Sequence, residues 1–125
     1  MARAQWIMVA GFLLASCISP SEGKPFDEMI GPVVTNECAV PVLAGIGESV
    51  TAAEHDIRED PIVMQPGWRS QIAFLLDREP IPEKLFLLVG VDADNPAMHE
   101  VEMSDVRGVG VDFVFHADCL TLTRQ

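Results

Sequence analysis

Hydrophobic and polar residues alternate along much of this chain in short stretches, and proline, glycine and acidic residues separate those stretches. Alternation with a period of two over four to eight residues indicates β-strands that bury one face. The clearest example is residues 69–76, in which Ile72, Phe74 and Leu76 share one side. Residues 85–91 are instead continuously apolar, which is typical of a central strand that is covered on both faces.

Six further stretches have the length and the turn-forming boundaries of strands. They are residues 32–36, 39–44, 61–65, 98–104, 111–115 and 120–123. Seven or eight short strands within about 95 residues are typical of a small antiparallel β-sandwich of the immunoglobulin-like type. The sequence therefore predicts an all-β domain over residues 31–125.

The same alternation predicts which side chains form the core of this domain. We expect the apolar side of residues 69–76 to pack against the apolar side of residues 111–115, with the last strand nearby. A slip of one residue in this assignment would turn all of these side chains to solvent. The expected core members are Ile72, Phe74, Leu76, Val111, Phe113, Phe115, Leu120 and Leu122.

One segment has a helix signal. Thr51-Ala-Ala-Glu54 matches a capping box, in which the side chains of the first and fourth residues satisfy free backbone N–H groups. This pattern predicts one helical turn from Ala52 to about Ile57. A solvated loop is the equal alternative for this segment.

The first 17 residues have the organisation of an export signal. Arg3 lies in a short, weakly basic start, and the apolar run over residues 6–14 is too short to span a bilayer. The run closes with Leu14-Ala15-Ser16-Cys17. This ending resembles the lipobox of bacterial lipoprotein precursors.

The resemblance implies cleavage before Cys17 and acylation of Cys17, so that the mature chain is tethered to the cell membrane or outer membrane, outside the cytoplasm. One acyl chain holds a protein to a bilayer weakly, and two or more hold it stably. Residues 1–16 are then a signal peptide. Residues 17–30 are the lipidated cysteine and a flexible tether, since serine, proline and glycine predominate there.

The two remaining cysteines are Cys38 and Cys119. An even number of cysteines in an exported chain predicts a disulfide, and two buried free thiols are the alternative. In the entropic account, a disulfide that closes a loop of this length lowers the conformational entropy of the unfolded state and so stabilises the fold by about 4 to 5 kcal/mol. The bond would join the start of the domain to its last strand.

The formal net charge is −11, and no cluster of basic residues occurs. Nucleic acid is therefore excluded as a partner, because its binding depends on lysine and arginine contacts to phosphate. Anionic lipid headgroups would repel the domain as well. Attachment to the lipid bilayer must accordingly come from the acyl chains on Cys17.

Two acidic segments and one tryptophan are the candidates for a binding surface. The acidic loops would attract a basic partner or a divalent cation, whereas solvated turns that keep the domain soluble are the plainer alternative. For the tryptophan, the alternative is a place in the core beside a turn. The candidate residues are Glu54, Asp56, Glu59, Asp60, Asp92, Asp94 and Trp68.

A metal site is the alternative function. Thioether and imidazole ligands together suit copper(I), and the candidate ligands are His99, Met103 and His116. The alternation of residues 98–104 also fits a core methionine and a partly buried histidine. Asp92 and Asp94 occupy alternate positions, as the oxygen ligands of a calcium loop do. Aspartate is also a common residue in ordinary turns.

No serine lies in a nucleophile elbow, and the sequence carries no motif for a reaction or a cofactor. We therefore expect a non-enzymatic, membrane-anchored lipoprotein without a cofactor, whose β-sandwich binds a protein, a peptide or another envelope component. The alternative is an envelope module that handles copper or another divalent ion.

Overall fold

A computed structural model describes residues 28–77 and 79–125. The signal peptide, Cys17 and the tether up to residue 27 lie outside the described residues. Two helices, α1 (Val50–Glu59) and α2 (Met103–Gly108), accompany ten strands within the described part of the chain. The strands are β1 (Glu28–Ile30), β2 (Val33–Asn36), β3 (Val42–Gly47), β4 (Ile62–Met64), β5 (Arg69–Gln71), β6 (Phe74–Leu76), β7 (Lys84–Gly90), β8 (Ala97–Glu102), β9 (Asp112–Phe115) and β10 (Leu122–Arg124).

The strands form two four-stranded sheets and one two-stranded sheet. Sheet I has the order β4-β3-β7-β8 and is antiparallel throughout. Sheet II has the order β10-β9-β2-β5, in which β2 and β9 run parallel and the other pairs are antiparallel. β1 and β6 pair with each other. The prediction of a mostly β, largely antiparallel fold is confirmed.

Side chains of both large sheets meet in one hydrophobic core. Phe113 and Phe115 of sheet II are fully buried there, together with Leu87 of sheet I. This burial confirms the predicted alternation of residues 111–115. Leu122 is also buried, but the prediction for Leu120 is wrong, since its side chain is 73% exposed in the connection that precedes β10.

Several strand boundaries differ from those predicted. Residues 69–76 form two strands that belong to different sheets, because the chain leaves sheet II after Gln71. Their apolar side is nevertheless buried as expected, fully at Ile72 and Leu76 and partly at Phe74. β8 ends at Glu102, where α2 begins, and β1 lies within the stretch that the sequence assigns to the tether.

α1 is longer than the single turn predicted and begins with a different cap. Ser49 is the N-cap, and its hydroxyl accepts a hydrogen bond from the Ala52 amide at 3.0 Å. Thr51 lies inside the helix, so the predicted capping box is wrong. The helix extends to Glu59 because Ala53 and Ile57, one turn apart, are buried against sheet I. Neither described helix has the length and apolar character needed to cross a membrane.

Two glycines of β3 allow α1 to lie directly on sheet I. A Cβ atom on Gly45 would stand 2.6 Å from the Ile57 nitrogen, and one on Gly47 would stand 2.5 Å from the Ala53 nitrogen. Leu88 of β7 packs into the same contact. β7 is therefore covered on both faces, by α1 outside and by the core inside, as the continuous apolar run predicts.

We expect Gly45→Ala to lower the free energy of unfolding by about 1–3 kcal/mol, because the added methyl group forces α1 away from β3. Urea unfolding followed by circular dichroism measures the change. Gly108→Ala is the matched control, since a Cβ atom at Gly108 meets nothing within 4 Å. Equal stability of the two variants would contradict the close contact between α1 and β3.

Candidate functional site

Four connections between strands meet at one end of the two sheets, which we call the disulfide end. They are residues 37–41, 65–68, 91–96 and 116–121. The strand register places β2 and β9 so that both end here, with Asn36 opposite Phe115. In sheet I, β4 and β7 end here and β3 and β8 begin here.

A disulfide joins Cys38 to Cys119 at this end, with 5.0 Å between the Cα atoms. The predicted disulfide is confirmed, and the alternative of two free thiols is wrong. The bond connects residues 37–41 with residues 116–121, and 81 positions separate the two cysteines along the chain. The connections that follow β2 and β9 are thereby fixed to each other.

Asn36 is the buried polar side chain that links the two sheets at this end. Its amide nitrogen donates to the carbonyl oxygens of Val40 and Met64, each at 3.1 Å, and its side-chain oxygen accepts from the Cys38 amide at 2.8 Å. Met64 belongs to sheet I, whereas Asn36 belongs to sheet II. Asn36 was not among the predicted site residues, although an asparagine that ends a valine-rich strand two positions before a cysteine is a usable signal.

Asp118 holds the connection between β9 and β10 in shape. Its carboxylate accepts hydrogen bonds from the Leu120 amide at 2.9 Å and from the Thr121 amide and hydroxyl at 2.9 and 2.5 Å. The Thr121 hydroxyl bond, followed by the two amide bonds, lowers the pKa of Asp118 from 3.8 to about 2. Leu120 is thus presented to solvent on a fixed backbone.

A cleft of about 190 Å³ opens between the end of β7 and the connection that contains Leu120. Both apolar and polar residues line this cleft. Apolar side chains at the cleft include Val91, which is 45% exposed, and Leu120. The other residues that line the cleft are Val89, Gly90, Asp92, Asn95, Ala97, Phe115 and Cys119.

Trp68 lies at the same end, on the turn between β4 and β5. Its amide donates to the Gln65 carbonyl at 3.0 Å, and its carbonyl accepts from the Asn36 amide at 2.9 Å. The side chain itself is 55% exposed, so the alternative of a tryptophan in the core is wrong. With Val40, Val91 and Leu120, it gives the disulfide end four exposed hydrophobic side chains.

The acidic segment of residues 54–60 was predicted to be a loop. It forms instead the second half of α1 and its C-cap Asp60. The prediction was wrong because the charged residues lie on the solvent face of an amphipathic helix rather than in a loop. Glu54 and Glu59 are exposed there. Asp56 accepts a hydrogen bond from the Ile46 amide at 2.9 Å and so has a structural role in joining α1 to β3.

The second acidic segment forms a turn that caps itself. The Asp92 carboxylate accepts from the amides of Asp94 at 2.9 Å and Asn95 at 3.2 Å. Asp94 pairs with Arg58 of α1, with 3.4 Å between nitrogen and oxygen. The structure therefore brings the two acidic segments together and favours ordinary turn roles for Asp92 and Asp94 over a calcium loop.

The two histidines of the alternative metal set do not face one common site. The His99 ring faces the core, 4.9 Å from the ring of Phe113, and Met103 is buried at the start of α2. His116 shares a hydrogen bond with the Thr123 hydroxyl at 2.6 Å. Since Thr123 faces outward and its neighbour Leu122 faces the core, the two histidines lie on opposite sides of sheet II. No three His, Cys, Asp or Glu side chains of the described residues are arranged to hold a metal ion.

Comparison with protein families, with curated proteins and with solved structures found no match to this chain. The functional interpretation therefore rests on the residues of the chain itself.

The depressed pKa of Asp118 makes its contribution to stability dependent on pH. Because the folded-state pKa lies below the unfolded-state value, the ionised carboxylate stabilises the fold above about pH 4, and this effect is lost as the pH falls through about 2. NMR titration of the Asp118 carboxyl carbon measures the pKa directly. Asp118→Asn should lack this part of the acid dependence, and titration of the wild-type group near 3.8 would contradict the hydrogen bonding described.

Proposed function

We propose that this protein is an exported lipoprotein, anchored by acylated Cys17, whose β domain binds a protein, peptide or other envelope component without catalysing a reaction. The observation that carries the proposal is the concentration of exposed hydrophobic side chains on the connections of the disulfide end. Loops held on a rigid scaffold are the usual carriers of binding function. Here the Cys38–Cys119 bond and the Asn36 hydrogen bonds supply the rigidity.

Two features support an exported, lipid-anchored location. The Leu14-Ala15-Ser16-Cys17 ending has the lipobox pattern, and disulfides persist in oxidising compartments outside the cytoplasm. Eleven residue steps separate Cys17 from Glu28, so the tether spans at most about 36–40 Å. The domain would accordingly work within a few nanometres of the bilayer.

The finer architecture belongs to the same proposal. We infer that sheets I and II stack as a β-sandwich related to immunoglobulin-like domains, because His99 of β8 contacts Phe113 of β9 across the core. Two features depart from the immunoglobulin-like pattern predicted. α1 covers the outer face of sheet I, and β2 pairs in parallel with β9.

The lining of the cleft supports binding rather than catalysis. It contains apolar residues, glycine, Asp92, Asn95 and the disulfide-bonded Cys119, and none of the described residues that line it is a histidine, serine, lysine or arginine. Asp92 is the one carboxylate among these lining residues, and nucleophilic or general acid–base catalysis usually needs a second such group within hydrogen-bond reach. The −11 charge supports a partner other than nucleic acid.

The anchor is tested by comparing wild type with Cys17→Ser. We expect wild-type protein in the membrane fraction with acyl chains on Cys17, detected by mass spectrometry of the mature N-terminus. The variant should remain uncleaved at this site or become soluble, since serine offers no thiol for the lipid. Ser21→Ala is the matched control and should remain anchored. An unmodified Cys17 at the mature wild-type N-terminus would refute the anchor.

The binding surface is tested by cross-linking in the native envelope. Trp68→Ala should reduce the cross-linked product at least about tenfold, because it removes the largest exposed side chain of the disulfide end. Val109→Ser is the matched control, since Val109 is 84% exposed and follows α2 at the opposite end of the domain. Equal yields from the two variants would place the interface elsewhere.

A further inference from the structure

The cleft at the disulfide end has one charged group among the described residues that line it, the carboxylate of Asp92. Asp92 takes no part in the ion pairs of the described residues, which involve other carboxylates such as Asp94 and Asp112. No cation of residues 28–77 and 79–125 therefore compensates the charge at the cleft.

The turn of residues 91–96 occupies only one of the two carboxylate oxygens of Asp92. Oδ1 accepts both the Asp94 amide at 2.9 Å and the Asn95 amide at 3.2 Å, which takes up its two lone pairs. In the described part of the chain, no hydrogen bond reaches the Oδ2 atom of Asp92 or the side-chain amide of Asn95. Both side chains line the cleft, so each offers it one unused oxygen acceptor.

The turn holds the Asp92 carboxylate in place. A Cβ atom on Gly90 would stand 2.9 Å from the Asp92 carbonyl oxygen and 2.9 Å from the Cα atom of Pro96, so the turn lies directly against the end of β7. The two amide bonds to Oδ1 fix the carboxylate on this backbone. A ligand of this carboxylate therefore meets a group that needs little further ordering.

The charge of the whole disulfide end favours a cationic ligand. Its four connections contain no lysine or arginine and four carboxylates, those of Glu37, Asp92, Asp94 and Asp118. Arg58 of α1 pairs with Asp94, and Arg69 pairs with Asp112 of β9 at 2.7 Å, so neither arginine reaches the cleft. A surface of one sign attracts groups of the opposite sign.

The apolar part of the cleft defines the rest of the ligand. Val91 and Leu120 are exposed there, and Ala97 lies between them and the start of β8 along the lining. A lysine side chain lays its aliphatic stem on apolar surface and keeps its ammonium group in a polar environment. A cavity of about 150 Å³ holds benzene, which has more heavy atoms than a lysine side chain. The cleft of about 190 Å³ is therefore large enough.

Lysine fits these acceptors better than arginine does. The ammonium group is a compact charge that needs no paired acceptors, whereas a guanidinium group binds best to both oxygens of one carboxylate. Because the turn already occupies Oδ1 of Asp92, the bidentate arrangement is not open to a ligand.

We propose that the cleft binds a lysine side chain of a partner protein or peptide. The aliphatic stem lies between Val91 and Leu120, and the ammonium group donates to Oδ2 of Asp92 and to the side-chain oxygen of Asn95. The proposal rests on the binding role proposed above but not on the lipid anchor.

The test uses the full chain in nonionic detergent and the capped tripeptide alanine–lysine–alanine. Amide chemical shifts of Val91, Asp92 and Leu120 should change during titration. Asp92→Asn should weaken binding about tenfold or more, because asparagine can still accept the two amide bonds of the turn but carries no charge. Glu37→Gln is the matched control and should weaken binding less than about twofold, since Glu37 is exposed at the same end but does not line the cleft.

Two further peptides test the ammonium group itself. The counterpart with Nε-acetyl-lysine has a similar stem without the charge and should bind about tenfold more weakly or less. The arginine counterpart should also bind more weakly than the lysine peptide. Equal or tighter binding of the acetylated peptide would overturn the proposal in favour of an apolar occupant, and equal or tighter binding of the arginine peptide would overturn the choice of lysine.

Two other results would overturn the proposal. One is the absence of shifts at Val91, Asp92 and Leu120 up to about 10 mM lysine peptide. The other is an equal loss of affinity in Asp92→Asn and Glu37→Gln, which would indicate attraction by the overall charge rather than binding in the cleft. Neither result alters the effect of Trp68→Ala on cross-linking in the envelope, which tests the proposed binding role separately.

Discussion

The arrangement of the connections at the disulfide end depends on the disulfide and the Asn36 hydrogen bonds that link these connections and the two sheets. A covalent bond from Cys38 to Cys119 and three hydrogen bonds of the buried Asn36 side chain hold connections that would otherwise be free surface loops. Ordering a loop before a partner arrives reduces the entropy that binding must overcome. The exposed Trp68 and Leu120 side chains therefore stand on backbone that is already in place.

The opposite end of the domain is built differently. α2, the β1–β6 pair and the start of β7 close it, and ion pairs join Arg107 to Glu28 and Arg124 to Asp105. These ion pairs are exposed enough that each contributes little to stability. The domain thus has one end closed by secondary structure and one end formed by connections. This second end combines a cleft of about 190 Å³ with several exposed hydrophobic side chains.

The sequence pattern correctly predicted the elements whose formation depends mainly on their own residues. β7 and β9 followed from their apolar spacing, and the Cys38–Cys119 bond followed from cysteine count. The length of α1 did not, because burial of Ile57 against Gly45, which lies 12 positions earlier, stabilises it. Leu120 was misjudged because apolar character does not reveal that Asp118 turns the backbone outward.

The candidate site was predictable only in part, because it also depends on contacts between positions that lie far apart along the chain. Residue type suggested His99, Met103 and His116 as joint ligands, but the His99 ring faces the core whereas His116 bonds the outward-facing Thr123. The two acidic segments were identified as residues but not as neighbours, since the Arg58–Asp94 contact joins positions that lie far apart along the chain.

The parallel pairing of β2 with β9 has a consequence for when the domain can fold. Val33 lies opposite Asp112, so an early strand occupies a place in sheet II that only the last part of the chain can complete. Contacts between such distant positions form late, because the intervening loop must close first. A chain that is synthesised from its amino terminus therefore completes sheet II only after its final strands are available.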